Sequence, residues 1–406
     1  MSGVSVDHVV SIIVLLAAIV LFVGLFDQTL SVAVDYQRNT TTAKQCDNLL
    51  DEILLTPTPP ISGTPAWFGL QGSTLPTYNL DPFLIMRLDS SGGTPTSYQK
   101  TGQTYSEITT NPNNYLLYPY NDMITYSTAL SLLGLKGIYG FQLSLTPTIS
   151  VSVTVISTNP LSLSVNARGT SFPLANAQVN YLLLPVSLKN NCPEFETISN
   201  QMGTTQTNQL GSTLPITFSN FYPNPNLTFA FVAFAHLDGI SGIGYYVNPP
   251  VGSQSVVPFL APVSTLNVNL ANSNDVPVTS TKDTPLYYNS TFIFESENYA
   301  FEQTSIGGSS SSGLLHSGPG YSPATISMGS YTPGILMIAY SNAANSGVTM
   351  MPWGFSSLGF SLTFGNSPVN QSWIATDLRQ VEINGVSYQA TLSLWSTQSY
   401  GSTSLP

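Results

Sequence analysis

Charge is scarce in this 406-residue chain. Asp, Glu, Lys and Arg together make up 7% of it, against about a quarter in ordinary soluble domains. Basic residues are the scarcest: 9 Lys and Arg stand against 20 Asp and Glu, a formal net charge of −11. A nucleic-acid partner needs a basic stripe, which so few cations do not supply. There are two cysteines and three histidines, with no CxxC, HxxxH or HExxH spacing, so the common zinc arrangements are excluded. No Lys or Arg precedes the apolar run at 9–26, and "GLFDQTLSV" is a poor cleavage site, so the run does not read as a secretory signal peptide.

What is present points to packed β structure. Hydrophobic residues make up 42% and aromatic residues 11%, which argues for buried cores rather than disorder. The 21 Tyr, 19 Phe, 31 Gly and 29 Pro, among many Ser, Thr and Asn, suit strands and turns. The length allows two or three domains. A neutral, hydroxyl-rich surface poor in lysine suits an extracellular protein.

The run "VVSIIVLLAAIVLFVGLF" spans 18 residues, about 27 Å as a helix, enough for the hydrocarbon core of a bilayer. The following "DQTLSVAVDYQRNTTTAKQCDNLLDEILL" contains no Pro or Gly and continues the helix. Ala43, Cys46, Leu49, Leu50 and Ile53 recur at helical spacing, with Lys44, Asp47, Asp51 and Glu52 mostly on other faces. The β-branched run at 40–42 weakens the helix locally, and Pro57 ends it. Residues 1–56 are therefore expected to form an apolar transmembrane or assembly helix with an amphipathic stem.

Residues 57–147 read as a proline-rich linker and a mixed α/β segment, with a helix in "MITYSTALSLLGLKG" and a strand in "YGFQLSLTP". Residues 148–250 read as a β-sandwich. Its strands are "ISVSVTVIS", "LSLSVNARG", "AQVNYLLLPVSL", "LPITF", "LTFAFVAFAH" and "GIGYYV". Residues 251–406 read as a second β-rich domain in which Asn384-Gly385 marks a two-residue hairpin. There "IGGSSSSGLLHSGPGYSP" is expected to be a polar loop. The expected class is mainly β: a long N-terminal helix, an Ig-like sandwich, then a C-terminal β-rich domain.

Two stretches carry a resemblance. "GTSFPLANAQVNY" followed by "GTTQTNQLGSTLPITF" resembles extracellular Ig-like or carboxypeptidase-regulatory-like modules. "VVSIIVLLAAIVLFVGLFDQTLSVAVDYQRN", with the junction "LLDEILLTPTPP…PAWFGL", resembles archaeal type IV pilin-like and single-span surface proteins. These resemblances imply a non-enzymatic cell-surface protein, either a filament subunit or a membrane-anchored adhesion or structural component. The partners they imply are a membrane or like subunits through the helix, and a glycan or surface protein through the head. The alternative is an ectodomain-bearing subunit of a membrane complex; an anchored hydrolase ranks third.

Residues that often carry chemistry have plainer readings here. His8 sits at the edge of the apolar run, and His236 ends a strand beside Asp238. His316 follows Ser309–Ser312, a flexible run rather than a nucleophile elbow. Glu295 and Glu297 share a strand face and read as solvated charges, as do Asp377 and Glu382. No catalytic, cofactor-binding or metal-binding residue is expected. Asn39, Asn226, Asn289 and Asn370 head N-x-S/T sequons and are candidate glycosylation sites. Cys46 and Cys192 either form one disulfide or are two small buried hydrophobes. Arg38 and Lys44 follow the span, which the positive-inside rule would place inside. The sequons and low charge favour an extracellular head.

Overall fold

The computed structural model describes residues 3–397 outside 59–65, 73–75, 90–94, 112–113, 199–200, 224–227, 261–266, 277, 297–299, 307–310, 329–333, 354–360, 370, 372 and 384. It is mainly β, with one long helix, α1 (Gly3–Leu55). The three consecutive threonines do not interrupt α1. The Oγ1 atoms of Thr40, Thr41 and Thr42 donate to the carbonyls of Tyr36, Gln37 and Arg38 at 2.9, 2.9 and 3.0 Å. Back-bonding of this kind satisfies the hydroxyls inside the helix.

The buried face of the stem is Thr42, Cys46, Leu49, Leu50, Ile53 and Leu54. Ala43, expected on that face, is exposed. The face follows the i, i+4 row from Thr42, whose hydroxyl is already bonded and tolerates burial. This row packs on a four-stranded sheet ordered Leu362–Gly365, Tyr139–Pro147, Val386–Ser396, Ala375–Ile383. The hairpin between the last two strands in sequence turns as expected: Ile383 pairs with Val386, and Gly385 has φ +78°, a left-handed value that costs glycine nothing.

A sandwich is built from strands between Ser150 and Val247. A three-stranded sheet (Ile216–Phe218, Leu161–Arg168, Ser150–Thr158) faces a five-stranded one built on Gln178–Lys189 and Thr228–Leu237. Leu163, Val165, Phe218 and Phe231 fill the space between them. "YLLLPV" and "FAFVAFA" are apolar without alternation because their sheet is covered on both faces. Leu182, Leu184, Val232 and Phe234 point away from the sandwich into the core shared with α1. Also in that core are Met337, Ala339 and Met350 of a second five-stranded sheet. The other face of this second sheet packs on a six-stranded sheet through Tyr288, Phe292, Leu336, Tyr118, Val268 and Leu270.

The expected boundaries at 57–147 and 251–406 need correction. Strands Thr96–Tyr98, Gln103–Asn111 and Asn114–Pro119 share the six-stranded sheet with Val256–Leu260, Asn267–Asn272 and Ala324–Ser327. Tyr139–Pro147 lies between two C-terminal strands in the stem sheet. These early strands are hydrogen-bonded to strands that follow the sandwich, so the sandwich is an insertion into a discontinuous unit. Ser312–Leu315, expected in a loop, is a strand paired with the strand Leu286–Glu295.

Cys46 and Cys192 are free thiols. Cys46 is 1% exposed, and its Sγ lies 3.4 Å from the Leu392 carbonyl and 3.7 Å from that of Ala375. Cys46 lies on α1 and Cys192 opens a strand of the sandwich; with both thiols free, the disulfide alternative is set aside. Burial, reinforced by the charge of Asp377, raises the Cys46 pKa from 9.0 to about 12. At pH 8 that leaves about a thousandth of the usual thiolate. In the folded protein a maleimide is expected to label half-buried Cys192 and spare Cys46 until denaturant is added. Mass spectrometry showing rapid double labelling would contradict this packing.

Candidate functional site: the exposed stem helix

Among the described residues, none of the apolar half of α1 is buried by the head. Over the helix His8–Leu55 the most apolar window is long and apolar enough to cross a membrane, and none of it is buried. Val20, Leu21 and Phe22 are 71%, 67% and 71% exposed. Phe22 and Phe26 stack one turn apart. An apolar surface of this extent in water is strongly unfavourable and marks a docking or membrane surface. His8 is exposed on the same helix.

The helix enters the head through a charged collar. Arg379 reaches Asp47 with Nη2 at 2.5 Å, Asp51 with Nε at 3.1 Å and Asp377 with Nη1 at 2.8 Å. Asp47 and Asp51 are one turn apart, so the guanidinium fork spans one helix face. The Asp47 hydrogen bond leads the effects that push the Arg379 pKa further up. Both stem carboxylates are substantially exposed, so the collar orients α1 more than it stabilises it. Asp377, read from sequence as a solvated charge, is part of this collar. Below it, a groove of about 650 Å³ separates α1 from the lower rim of the stem sheet at Ile138, Tyr139 and Ser396. Arg38 donates to Ser396 Oγ across it at 3.5 Å.

A second cavity, about 580 Å³, lies where the sandwich, the Leu286–Glu295 strand end and the β-hairpin around Gly385 meet. His236 Nε2 and Glu295 Oε1 are 2.7 Å apart there, each side chain 12% exposed. Sequence proximity suggested Asp238 for His236 and a solvated role for Glu295. The fold instead joins residues 59 positions apart, a pairing no local pattern could reveal. Glu382 accepts from the Gly385 N–H at 3.1 Å on the same rim. Glu297 lies outside the described residues.

His316 is held by Asp283, Nδ1 to Oδ2 at 2.8 Å, and stacks on Tyr321 at 4.3 Å between ring centroids. Asp283 also accepts from the Ser317 N–H at 3.2 Å. Ser312, at the end of the serine run, is four residues before His316 on a strand; Ser309 and Ser310 lie outside the described residues. Among the described residues, no group of three His, Cys, Asp or Glu is placed to hold a metal. Of the sequons, Asn39 is half-buried on α1 and Asn289 half-buried between the strands of Ser312 and Ala339. Asn226 and Asn370 lie outside the described residues.

No protein-family model matches the chain, and no curated protein matches it. Among solved structures it is similar to a red sea bream transglutaminase at 11% identity and a TM-score of 0.19. That likeness covers 62% of this chain and 40% of the other, so the chain spans two-fifths of that structure's length. A superposition this loose carries no argument about activity. The surface-protein resemblance read from the sequence gains no support from these comparisons and rests on the chain's own residues.

Proposed function

We propose that the chain is a non-enzymatic surface protein whose α1 sits in an apolar environment, a bilayer or a shaft of like helices, and carries the β-rich head outside it. The observation that supports this is the bare apolar run: 18 residues left unburied by the described residues of the head, on a helix whose far end is locked into the head's core. Burial of that run drives the localisation, and no bond is made or broken. The head presents five packed sheets, a scaffold for assembly or adhesion. The junction cavity favours a second reading, a membrane-complex subunit whose head binds a protein or glycan.

The test is fractionation of native protein into sheared filaments, membranes and soluble material, with intact mass measured in each. The expected result is a chain retaining residues 9–26 in the membrane or filament fraction. A soluble chain, or one starting beyond Phe26, would overturn the proposal.

A further inference from the structure

Lys100 and Asp275 meet in a geometry that suits more than an ion pair. Lys100 Nζ lies 2.6 Å from Asp275 Oδ2, with the side chains 10% and 0% exposed. Yet among the described residues Oδ2 is buried without a hydrogen bond. The nitrogen touches the carboxyl group without being aligned as a donor to it. Oδ2 is one bond of about 1.2 Å from Cγ, so the nitrogen is within about 4 Å of that carbon. A small rotation of the lysine stem brings it to the roughly 3–3.5 Å from which a bond forms.

The other carboxyl oxygen is held differently. Oδ1 accepts the backbone N–H groups of Ser280 at 2.8 Å and Gly318 at 3.0 Å. Two fixed N–H donors on one oxygen, in a site closed to water, stabilise the negative charge of a tetrahedral intermediate. An aromatic cluster beside the pair helps to close the site. Tyr98, two residues before Lys100, packs edge-on against Phe259 with ring centroids 5.5 Å apart, and Val276, next to Asp275, packs on the same cluster.

We infer that Lys100 and Asp275 condense, once the chain has folded, into an isopeptide bond between Nζ and Cγ. The ammonium first gives a proton to Oδ2, which leaves a neutral amine beside a carboxylic acid. Nζ adds its electron pair to Cγ, and the negative charge that forms rests on Oδ1, held by the two N–H groups. A second proton moves from the nitrogen to Oδ2, the Cγ–Oδ2 bond breaks, and Oδ2 leaves as water. The nitrogen keeps its third hydrogen as an amide N–H, and Oδ1 keeps both of its donors. No oxidant, reductant or further reactant enters. Until it condenses, the pair is a buried ion pair, so the stability of variants at this pair is compared with wild type that has kept its water.

The position gives such a bond a use. Lys100 follows the strand Thr96–Tyr98 and Asp275 follows the strand Asn267–Asn272, both in the six-stranded sheet and on either side of the sandwich in sequence. The early and late halves of that sheet pair at Leu117 and Phe259. The isopeptide bond fastens the same two halves covalently. It closes a loop that holds the whole sandwich, which restricts the unfolded chain. Cys46 and Cys192 are free thiols, so they do not supply this closure.

The test is mass spectrometry of the purified full-length chain, unfolded before analysis, beside Lys100→Arg. That variant keeps a cation opposite Asp275 but has no amine to condense. Wild type is expected to be lighter by one water than its composition requires. Its tryptic digest is expected to contain a branched peptide joining the segments around residues 100 and 275, uncut after Lys100. Lys100→Arg is expected to keep the water and to be cut after position 100. A folded wild type of full mass, a wild type that has lost water but is still cut after Lys100, or a Lys100→Arg variant that also loses the water would each overturn the inference. The result does not depend on where α1 is seated, so it stands or falls apart from the proposed function.

Discussion

Lys100→Met is expected to destabilise the head by about 3–5 kcal/mol, the cost of leaving a buried carboxylate without its counter-charge. Lys100 Nζ lies 2.6 Å from Asp275 Oδ2, with the two side chains 10% and 0% exposed. Asp275 also accepts, through Oδ1, the N–H groups of Ser280 at 2.8 Å and Gly318 at 3.0 Å. One carboxylate thus ties the turn after Thr96–Tyr98 to two later loops. Burial, reinforced by this charge, pushes the hydroxyl of Tyr98 well above the ordinary tyrosine range. Removing the ammonium leaves a fully buried anion with two backbone donors, too few to replace water. Replacing both partners, Lys100→Met with Asp275→Asn, is expected to recover most of the loss, because a neutral amide still accepts from both N–H groups. Denaturant unfolding of the three variants measures this. A single variant within about 1 kcal/mol of wild type, or a double variant no better than the single, would mean the pair is not sequestered as described.

Lys100 also shows where sequence reading stops. With 9 Lys and Arg in the whole chain, each one is a candidate for a specific role, but nothing near Lys100 points to Asp275. Elements with a local cause were legible: α1 from its unbroken apolar and Pro-free run, the hairpin at Gly385 from its turn residues, the sandwich strands from their length and spacing. Domain boundaries were not, because strands such as Tyr139–Pro147 take their partners from beyond the sandwich. Contacts between sheets were not legible either. The alternation of "ISVSVTVIS" gives one half-buried, inward face and is visible, whereas the continuous apolarity of "FAFVAFA" shows two buried faces without saying what covers them. His236 and Glu295 were each visible as lone polar residues, and only the packing of the sandwich on the neighbouring sheet pairs them. The bare run of α1 was visible because its meaning lies in its own length and composition.

Removal of residues 1–36 is expected to release the protein completely from membranes or filaments while leaving the head folded. Fourteen of the residues 9–26 are Leu, Ile, Val or Phe. At roughly 0.3–0.6 kcal/mol each on the membrane-insertion scale they favour the inserted state by about 4–8 kcal/mol, a partition ratio of a thousandfold or more. No described part of the head buries this segment. The side chains at 9–36 are exposed, while the groups that lock α1 into the head begin at Arg38 and continue through Thr42, Cys46, Leu50 and Ile53. The shortened chain therefore keeps every buried stem residue and the Arg379 collar. Its thermal midpoint is expected within about 2 °C of the full-length protein, the shift that less than about 1 kcal/mol produces in a chain of this size. Two outcomes would count against the argument. A shortened head that unfolds or aggregates would show that residues 9–36 pack against the head after all. A shortened head that still sediments with membranes would move the membrane contact from the helix to the β-rich domains. Release with an unchanged midpoint would leave a helix whose apolar half has no role inside its own subunit, and the cost of making it would have to be met by what it is buried in.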